Sequence, residues 1–366
     1  MTNYPRIAIV YLSFHCEPYM DDVVSALKKI SYPKDKLEFI IVDNPHPTHG
    51  PSVRYIQEHV IPLSGNEIPH TTLLLQKENL GFAGGNNKGV EWAIEHNFDY
   101  VFFHNNDGFL ATNAFEPLVE AMEADKKIGL AQSLMLLYPE TDLLNSTGNS
   151  FHYLGFGYCN EYRTKFKDLN LPEVKEISYA SGATLMARVD LIKEFGSWDN
   201  DFFLYHEDLE WSFRLRSAGY KIVLVRDSIF YHKYQFSRSI EKFYWMERNR
   251  FGVMLMFFRW PTLLLLTPMC IVLEIGLWFF AAKGGWLDKR VKVYKYWLQW
   301  KHWKLWLGKR KNIQKIRKVS DRYLLKYSVS GIHFQEKSMK NPVLKYIGNP
   351  VIKVYYWIVV RCLVWW

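Results

Sequence analysis

Tyr100-Val-Phe-Phe-His-Asn-Asn-Asp-Gly-Phe-Leu110 is the stretch that decides the fold. It begins as a short apolar run, typical of a buried β-strand, and then breaks into polar residues that end at Asp107 and Gly108. In open α/β sheets, ligands bind outside the carboxyl ends of the strands. A carboxylate there can hold a divalent cation, and the cation can hold a diphosphate. The same residues would also form an ordinary Asn-Asp-Gly turn, so this stretch alone leaves both interpretations open.

Predicted strands and helices alternate around this stretch. The strands are expected at residues 6–14, 37–42, 71–76 and 100–104. A glycine-rich turn is predicted at residues 78–89, before a helix at 90–96. This alternation indicates a parallel sheet with right-handed crossovers. Its polar strand ends would therefore converge at one edge, where the glycine-rich turn could approach phosphate oxygens or simply pack on the sheet.

The chain from 111 to 250 carries fewer local signals. Strands are predicted at residues 129–137, 177–188 and 220–225, and Gly182 would allow a close backbone approach or form a bulge. A helix is predicted from Leu209 to Ala218, directly after Glu207 and Asp208. Acids at a helix start are usually caps. The crowding of four acids, Asp201, Glu207, Asp208 and Glu210, would also raise at least one pKa toward working pH, as a general base requires.

Charge divides the chain of 366 residues into two parts. Residues 1–282 contain 26 Lys and Arg against 34 Asp and Glu, whereas residues 283–366 contain 20 against three, and eight of the 14 tryptophans. The four cysteines are scattered without ligand-like spacing, which argues against a disulfide framework or a zinc site. The N-terminus has no pattern typical of a signal peptide, so we expect the catalytic part on the cytoplasmic side.

Seven motifs in order resemble those of inverting family 2 glycosyltransferases of the GT-A fold, especially the bacterial rhamnosyltransferase-like branch. They are Val10-Tyr-Leu-Ser-Phe-His15, Ile41-Val-Asp-Asn44, Asn79-Leu-Gly-Phe-Ala-Gly-Gly-Asn-Asn-Lys-Gly89, His104-Asn-Asn-Asp107, Gly196-Ser-Trp-Asp199 with Phe202-Phe-Leu-Tyr-His-Glu-Asp208, His232, and Arg248-Asn249. The resemblance covers residues 6–250. It implies a Rossmann-like mixed α/β sheet flanked by helices, with a nucleotide-sugar half at 1–110 and an acceptor half at 111–250.

The resemblance also implies roles for individual residues. The nucleotide-sugar would contact Ser13, Phe14, Asp43, Gly84, Asn86, Asn106 and Asp107. Asp107 would bind Mg²⁺ or Mn²⁺ on the diphosphate, with His232 completing the metal shell or contacting a phosphate, and Arg248 is a further diphosphate candidate. Gly182 and Glu207 would lie on the acceptor side. Asp208 would be the catalytic base, and we expect it to face Asp107 across one pocket.

Three departures from the family pattern concern the same motifs. His15 replaces the usual Asn and could alter the base contact. Asn105 replaces the first acid of an Asp-x-Asp motif, which would weaken metal binding. His206 stands where Gly is frequent, which could change the acceptor pocket. Asp107 and Asp208 are retained.

The segment from 251 to 366 is predicted to be a basic, Trp-rich helical region that associates with a membrane. Residues 261–282 are apolar except for Glu274 and are long enough to span a bilayer, although Glu274 and Pro268 count against a span. Helices are predicted at 294–307 and 351–366. Cationic helices with tryptophan faces bind the interface of anionic membranes, so attachment to the cytoplasmic face is favoured over a span or a soluble helical domain.

The sequence therefore predicts a metal-assisted hexosyltransferase of polysaccharide or cell-envelope biosynthesis. Its donor would be dTDP-rhamnose or a UDP-sugar, and we expect its acceptor to be a lipid-linked glycan. One alternative is a catalytically degenerate scaffold or partner subunit. The other is a nucleic-acid-binding protein that uses the basic tail, which would leave the motifs of the first 250 residues unexplained. We therefore expect no nucleic-acid partner, and the sequence leaves the oligomeric state open.

Overall fold

A computed structural model describes residues 4–234, 241–332 and 342–366. The chain forms two compact units, each discontinuous in sequence. The first comprises Met1–Asn149, Cys159–Phe203 and Tyr220–Phe236, and the second Ser150–Tyr158, Leu204–Gly219 and Ser237–Trp366. The boundary predicted at residue 250 separates a glycosyltransferase part from a membrane-associating part by function, and it stays a prediction.

The strands, in chain order, are β1 (Ile7–Ser13), β2 (Leu37–Asp43), β3 (His70–Leu75), β4 (Tyr100–His104), β5 (Gly108–Leu110), β6 (Ile128–Leu137), β7 (Leu144–Ser146), β8 (Asn149–His152), β9 (Gly157–Cys159), β10 (Val174–Glu176), β11 (Thr184–Arg188), β12 (Lys221–His232) and β13 (Ser328–Val329). The α-helices are α1 (Met20–Lys28), α2 (Val53–His59), α3 (Gly81–Glu95), α4 (Phe115–Ala124), α5 (Val189–Phe195), α6 (Glu207–Ser217), α7 (Glu241–Phe257), α8 (Trp260–Gly284), α9 (Leu287–Trp297), α10 (Trp300–Ile316), α11 (Asp321–Leu325) and α12 (Asn349–Tyr356).

The first unit is built on a mixed sheet in the order β10-β12-β6-β11-β4-β1-β2-β3. Strands β3, β2, β1 and β4 are parallel, as the sequence predicted for this half. Strand β11 is antiparallel to both β4 and β6, and β6 and β12 are parallel. The expected mixed α/β architecture is therefore confirmed.

Helices cover both faces of this sheet, whose central strands are mostly apolar and largely buried. Alternate residues of β1, such as Ile7 and Ile9, pack in one core with α1, α2 and α4. The residues between them face α3 on the other side, where Val10 meets Gly89. Side chains of a strand alternate between its two faces, so a strand buried on both sides is apolar at most of its positions.

Helix α3 corrects the turn predicted at residues 78–89, because the helix already begins at Gly81. The glycines serve close packing: a Cβ on Gly85 would lie 2.4 Å from a methyl carbon of Leu12, and one on Gly89 would lie 2.4 Å from Val10. The strand predicted at 177–188 is also shorter, since only Thr184–Arg188 is extended. In contrast, β12 continues through a bulge to His232, beyond the predicted end at Val225.

The second unit is largely helical, with α6–α12 and a small sheet in the order β13-β8-β9. Within the described residues, α8 is the one helix long and apolar enough to cross a membrane. The helix predicted at 294–307 is interrupted between α9 and α10. The final helix extends from α12 into a π-helical segment, Trp357–Leu363, so the predicted helix at 351–366 ends three residues early.

Candidate active site

Asp107 and His232 are brought together by strand pairing in the first unit. Strand β12 runs antiparallel to β5, with His232 opposite Gly108, and the backbone N–H of Lys233 donates to the carbonyl of Asp107. The imidazole Nε2 of His232 then lies 2.9 Å from Oδ1 of Asp107. The two residues predicted as metal ligands are thus neighbours, although 125 positions separate them in the sequence.

The electrostatics of this pair favour an ionised Asp107. Burial alone would raise the pKa of Asp107, but the charge of His232 and the hydrogen bond from its ring outweigh burial, and the pKa lies below its ordinary value. Oδ1 also accepts from Nδ2 of Asn105 at 2.5 Å. Asn105, which replaces an acid of the usual motif, therefore stabilises the remaining carboxylate.

Asn145 orients His232 and was not identified from the sequence. Its Oδ1 lies 2.9 Å from Nδ1 of His232, and both residues are buried. When Nδ1 of a neutral His232 ring donates to Asn145, the lone pair of Nε2 points at the Asp107 carboxylate. The lone pair and the carboxylate repel each other unless a proton or a cation lies between them. An oriented imidazole beside a carboxylate is thus a donor set that fits a divalent cation.

In the described part of the chain, the Asp107–His232 pair offers two ligands to a metal ion. Across residues 4–234, 241–332 and 342–366, no group of three or more His, Cys, Asp or Glu side chains is placed to bind a metal ion. A cation held by Asp107 and His232 would therefore need oxygens from a bound phosphate group, which is the usual arrangement for Mg²⁺ with a nucleotide.

Asp43 and Ser13 form the second pair of predicted site residues. They are directly opposite in the parallel register of β1 and β2, and Oγ of Ser13 donates to Oδ1 of Asp43 at 3.0 Å. The backbone N–H of Ser52 donates to the same oxygen at 3.1 Å. Burial raises the pKa of Asp43, opposed by these hydrogen bonds. Its other oxygen, Oδ2, is buried without a hydrogen-bond partner, so it is placed to accept from a ligand.

Asn106 connects the ends of β4 and β1. Its Nδ2 donates to the carbonyl of Phe14 at 3.0 Å, and its own carbonyl accepts from the hydroxyl of Tyr11. The ring of Phe14 packs against His46, and His15 stacks on His49 with ring centroids 3.9 Å apart. The strand ends that the sequence predicted to converge therefore do converge, and they add a cluster of histidines.

Asn44 is a second residue whose role the sequence did not reveal. Its Oδ1 accepts from the backbone N–H of Leu80, and its Nδ2 donates to Oδ1 of Asn79 at 2.9 Å. Asn44 thereby fixes the start of α3 beside the end of β2. Asn44 immediately follows Asp43 in the quoted motif, and this position was the one feature of the sequence that could have indicated its role.

Gly84 and Asn86 lie inside α3. The first N–H groups of the helix are already bonded, Gly81 to Oδ1 of Asn79 and Phe82 to the carbonyl of Phe203. Of the two interpretations left open for the glycine-rich stretch, these bonds support packing on the sheet, and an approach to phosphate stays a prediction. Nδ2 of Asn86 donates to the carbonyl of Phe82 within the helix. The contacts of Gly84 and Asn86 with the nucleotide-sugar stay predictions.

Gly182 has a packing role in the first unit. A Cβ at this position would lie 3.0 Å from the ring of Phe82 and 3.2 Å from that of Trp198. The close approach expected from the sequence is thus made by the protein's own aromatic rings. A position on the acceptor side stays a prediction for Gly182.

In the second unit, Glu207 and Asp208 are the first two residues of α6. Glu207 is buried and its Oε2 has no hydrogen-bond partner. Burial, followed by the charge of Asp208, raises the pKa of Glu207 well above its ordinary value. Asp208 is half-buried, and its Oδ1 accepts from the backbone N–H of Leu209 at 2.8 Å.

The two other acids of the predicted cluster differ from this pair. Glu210 is buried in an ion pair with Arg214, with 2.7 Å between Nη2 and Oε2. Asp201 belongs to the first unit and is exposed. Glu207 and Asp208 are thus the candidates for a general base, and the role of Asp208 opposite Asp107 stays a prediction.

The loop before α6 is held in a strained conformation. Tyr205 and His206 have φ values of 65° and 67°, which non-glycine residues rarely adopt. Asn249 stabilises this loop, because its Nδ2 donates to the carbonyls of Leu204 and Tyr205 at 3.0 and 2.6 Å. Such strain beside two acids is common at functional sites.

Arg248 supports Asn249. Its Nε and Nη2 donate to Oδ1 of Asn249, and its guanidinium lies over the rings of Trp245 and Tyr296. Arg248 is 6% exposed. The observed role of Arg248 is therefore structural, and contact with the diphosphate stays a prediction.

The sheet, its helices and the acidic strand end define the GT-A class of nucleotide-diphospho-sugar transferases. One solved structure similar to the chain is that of GalNAc-T7 with UDP, GalNAc and Mn²⁺, at 14% identity and a TM-score of 0.52, over 70% of this chain and 48% of that one. Another is TarS 1-349 of S. aureus in complex with UDP, at 13% identity and a TM-score of 0.50, over 97% and 90% of the two chains. The chain thus spans about half the length of the GalNAc-T7 structure.

The family model for glycosyl transferase family 2 matches residues 8–196, more than half of the chain. The chain therefore belongs to glycosyl transferase family 2. None of the curated proteins compared with the chain matches it.

Proposed function

We propose that the protein moves a hexosyl group from a nucleotide-diphosphate sugar to a hydroxyl of a glycan, with inversion at the anomeric carbon. The observation that carries this proposal is the Asp107–His232 pair, a carboxylate and an oriented imidazole 2.9 Å apart at the end of a GT-A sheet. The unpartnered Oδ2 of Asp43 supports a nucleoside site at the neighbouring strand ends. The UDP and Mn²⁺ of the GalNAc-T7 structure support a similar donor and a divalent cation.

In the proposed reaction, the acceptor oxygen bonds to the anomeric carbon while the bond from that carbon to the diphosphate breaks. Asp208 takes the hydroxyl proton, which contributes about 10²–10⁴-fold to the rate. The electron pair leaves with the nucleoside diphosphate. A divalent cation at Asp107 and His232 would offset the charge that develops on the diphosphate by several kcal/mol. Asn145 keeps His232 in the orientation that this requires.

Two donors are compatible with the proposal. The sequence resemblance to the rhamnosyltransferase-like branch favours dTDP-rhamnose, whereas the UDP in the GalNAc-T7 and TarS structures favours a UDP-sugar. A lipid-linked glycan of the cell envelope is the proposed acceptor. Screening nucleotide-sugars for thermal stabilisation with and without Mn²⁺ would identify the donor and the metal together.

The catalytic assignment is tested by Asp208→Asn with Glu207→Gln as its neighbour control. We expect Asp208→Asn to lower transfer by at least about 10²-fold while leaving donor binding unchanged, because the variant lacks only the proton acceptor. Glu207→Gln should retain most transfer, since Glu207 is buried. The measurements are product formation at saturating donor and calorimetric donor affinity. Full turnover in Asp208→Asn, or its loss in Glu207→Gln alone, would transfer the base role to Glu207.

A further inference from the structure

Helix α8 has one packed side and one bare apolar side. Thr262, Leu266, Met269 and Leu273 are buried, and at 3.6 residues per turn they share one side of the helix. The opposite side carries Leu264, Ile271, Val272, Ile275 and Phe279, which are 56–74% exposed. A soluble protein rarely leaves such a continuous stripe of large side chains in water.

The end of the chain extends this apolar surface. The hydroxyl of Tyr355 donates to the carbonyl of Leu265 at 2.6 Å, and the indole Nε1 of Trp366 donates to Oγ1 of Thr262 at 2.9 Å. These bonds place the C-terminal helix beside the first half of α8. Besides exposed lysine and arginine, that helix carries four exposed apolar side chains, namely Val351, Val354, Trp357 and Ile358, at 44–64% exposure. We call these nine residues of the two helices the apolar face.

The single charged group in the middle of α8 does not belong to the apolar face. Glu274 forms ion pairs with the buried guanidinium groups of Arg250 and Arg290, and its Oε2 accepts from the hydroxyl of Tyr294 at 2.5 Å. Because the protein neutralises Glu274 internally, the charge is no obstacle to seating the other side of α8 against hydrocarbon.

Positive charge surrounds the apolar face. Exposed lysines and arginines include Lys283 in the last turn of α8, Lys292 and Lys295 in α9, and Lys345, Lys353 and Arg361 on the C-terminal segment itself. Within the described parts of residues 283–366, Asp288 is the only exposed acid. This charge favours an anionic surface as the occupant and disfavours a second copy of the chain, because two copies would bring like charges together.

The position of helix α9 indicates whether α8 lies on a bilayer or crosses it. It packs along the second half of α8, where Arg290 pairs with Glu274 and the rings of Tyr294 and Trp278 lie 5.3 Å apart. A transmembrane α8 would carry Lys292 and Lys295 of α9 toward the hydrocarbon, where a charged lysine is strongly disfavoured. An orientation along the interface leaves these lysines among the headgroups.

We propose that the apolar face binds the surface of an anionic lipid bilayer, with α8 lying along the interface and the surrounding cations on the lipid headgroups. This inference does not depend on the sugar transferred. It would hold the protein beside a lipid-linked acceptor if the proposed function is correct.

The test is flotation of the full-length protein with phosphatidylcholine vesicles that contain or lack phosphatidylglycerol. The wild type should float with the anionic vesicles and be released by salt, because headgroup attraction is screened. The double variant Ile275→Glu/Phe279→Glu should bind at least about tenfold more weakly, because one fully buried side chain contributes about 1.5–3 kcal/mol. Leu75→Glu, an equally exposed leucine of β3, should bind like the wild type.

Three further measurements complete the test. Thermal unfolding and donor hydrolysis should be the same in the double variant and the wild type, which separates membrane binding from folding and from the proposed reaction. Unchanged flotation of the double variant would overturn the proposal. So would a change from dimer to monomer by light scattering with no change in flotation, which would assign the face to a second copy.

The orientation is tested with a membrane-impermeant maleimide on reconstituted vesicles. In a background with Cys159, Cys270 and Cys362 replaced by serine, the variants Arg259→Cys and Lys283→Cys place a thiol just before α8 and near its end. Both thiols should react from outside if α8 lies along the interface. Protection of one of them alone would show a spanning helix and overturn the inferred orientation.

Discussion

Asp43 in the first unit and Glu274 in the second are both enclosed carboxylates, but they differ in their partners. Glu274 has two guanidinium groups and a tyrosine hydroxyl. Asp43 has a serine hydroxyl and a backbone N–H on one oxygen and no partner on the other. A carboxylate with complete partners maintains the fold, whereas one that lacks a partner is available to a ligand.

The pKa directions of the two groups follow from this difference. Burial raises the pKa of Asp43, and its few hydrogen bonds only reduce the effect. Burial also acts upward on the pKa of Glu274, but Arg250, the hydrogen bond from Tyr294 and Arg290 together bring it below its ordinary value. The first unit thus keeps a carboxylate with too few hydrogen-bond partners at its strand ends. The second unit surrounds its carboxylate with partners and instead leaves apolar side chains exposed.

The largest expected effect is the loss of stability in Glu274→Gln. Among the described residues, the substitution leaves Glu247 as the buried counter-charge of both Arg250 and Arg290. Removing one partner of such a network costs about 3–5 kcal/mol. The measurement is the free energy of unfolding in urea. Asp288→Asn, which removes an exposed acid of the same region, should change it little. An unchanged unfolding midpoint in Glu274→Gln would show that the network is not a stabilising element.

The next effect concerns pH and His206, which is buried with its Nε2 3.0 Å from the carbonyl of Gly155. Burial lowers its pKa to about 4, against about 6.5 in an unfolded chain. The folded state therefore binds the proton less readily, so stability is complete above pH 6.5 and is lost as the pH falls toward 4, by up to about 3 kcal/mol.

The measurement for His206 is the difference in pH dependence between the wild type and His206→Asn. Asparagine tolerates the left-handed conformation found at this position, so the variant should fold and lose part of the decline between pH 6.5 and 4. His59→Asn, at an exposed histidine, should follow the wild type. Equal declines in all three proteins would contradict the assignment.

Asp43→Asn should affect the ligand more than the fold. The variant removes a buried negative charge but retains an acceptor for Ser13 and Ser52, so the free energy of unfolding should not decrease. Donor affinity should fall about tenfold or more, since a hydrogen bond to a charged group contributes about 1.5–3 kcal/mol. Calorimetry with the nucleoside diphosphate measures this change. Ser31→Ala, a hydroxyl on the exposed surface, is the control, and equal affinity in Asp43→Asn and wild type would remove Asp43 from the donor site.

The parallel half of the sheet and the convergence of its strand ends could be predicted because the signals are local. Each motif consists of an apolar strand followed within a few residues by its polar end, and parallel strands bring those ends to one edge. Asp107 and Asp43 needed no knowledge of distant contacts. Asn145 could not be predicted without such knowledge, because it reaches His232 only through the pairing of both β7 and β12 with β6. The residues next to Asn145 in the sequence do not indicate its role.

The second unit was harder to predict because its partners are distant in the sequence. Glu274 was visible as a charge in an apolar segment, but its neutralisation by Arg250 and Arg290 depends on the packing of α7, α8 and α9. The strained loop before Asp208 is similar, since its support comes from Asn249, more than 40 residues away. In both places long-range packing, rather than local preference, determines the outcome.

The glycines of α3 and α8 provide the smallest and most closely matched prediction. Both Gly89 and Gly276 are helical, so alanine should gain about 0.4–1 kcal/mol at each from reduced freedom of the unfolded chain. At Gly276 a Cβ would meet nothing within 4 Å, and Gly276→Ala should keep this gain. At Gly89 the Cβ would lie 2.4 and 2.7 Å from the two methyl carbons of Val10, and overpacking costs about 1–3 kcal/mol. Gly89→Ala should therefore lower the free energy of unfolding while Gly276→Ala raises it. If the two variants shift stability in the same direction, the glycines of α3 are not required for the contact of α3 with β1. A glycine-rich turn, as predicted from the sequence, would then be the better explanation for these glycines.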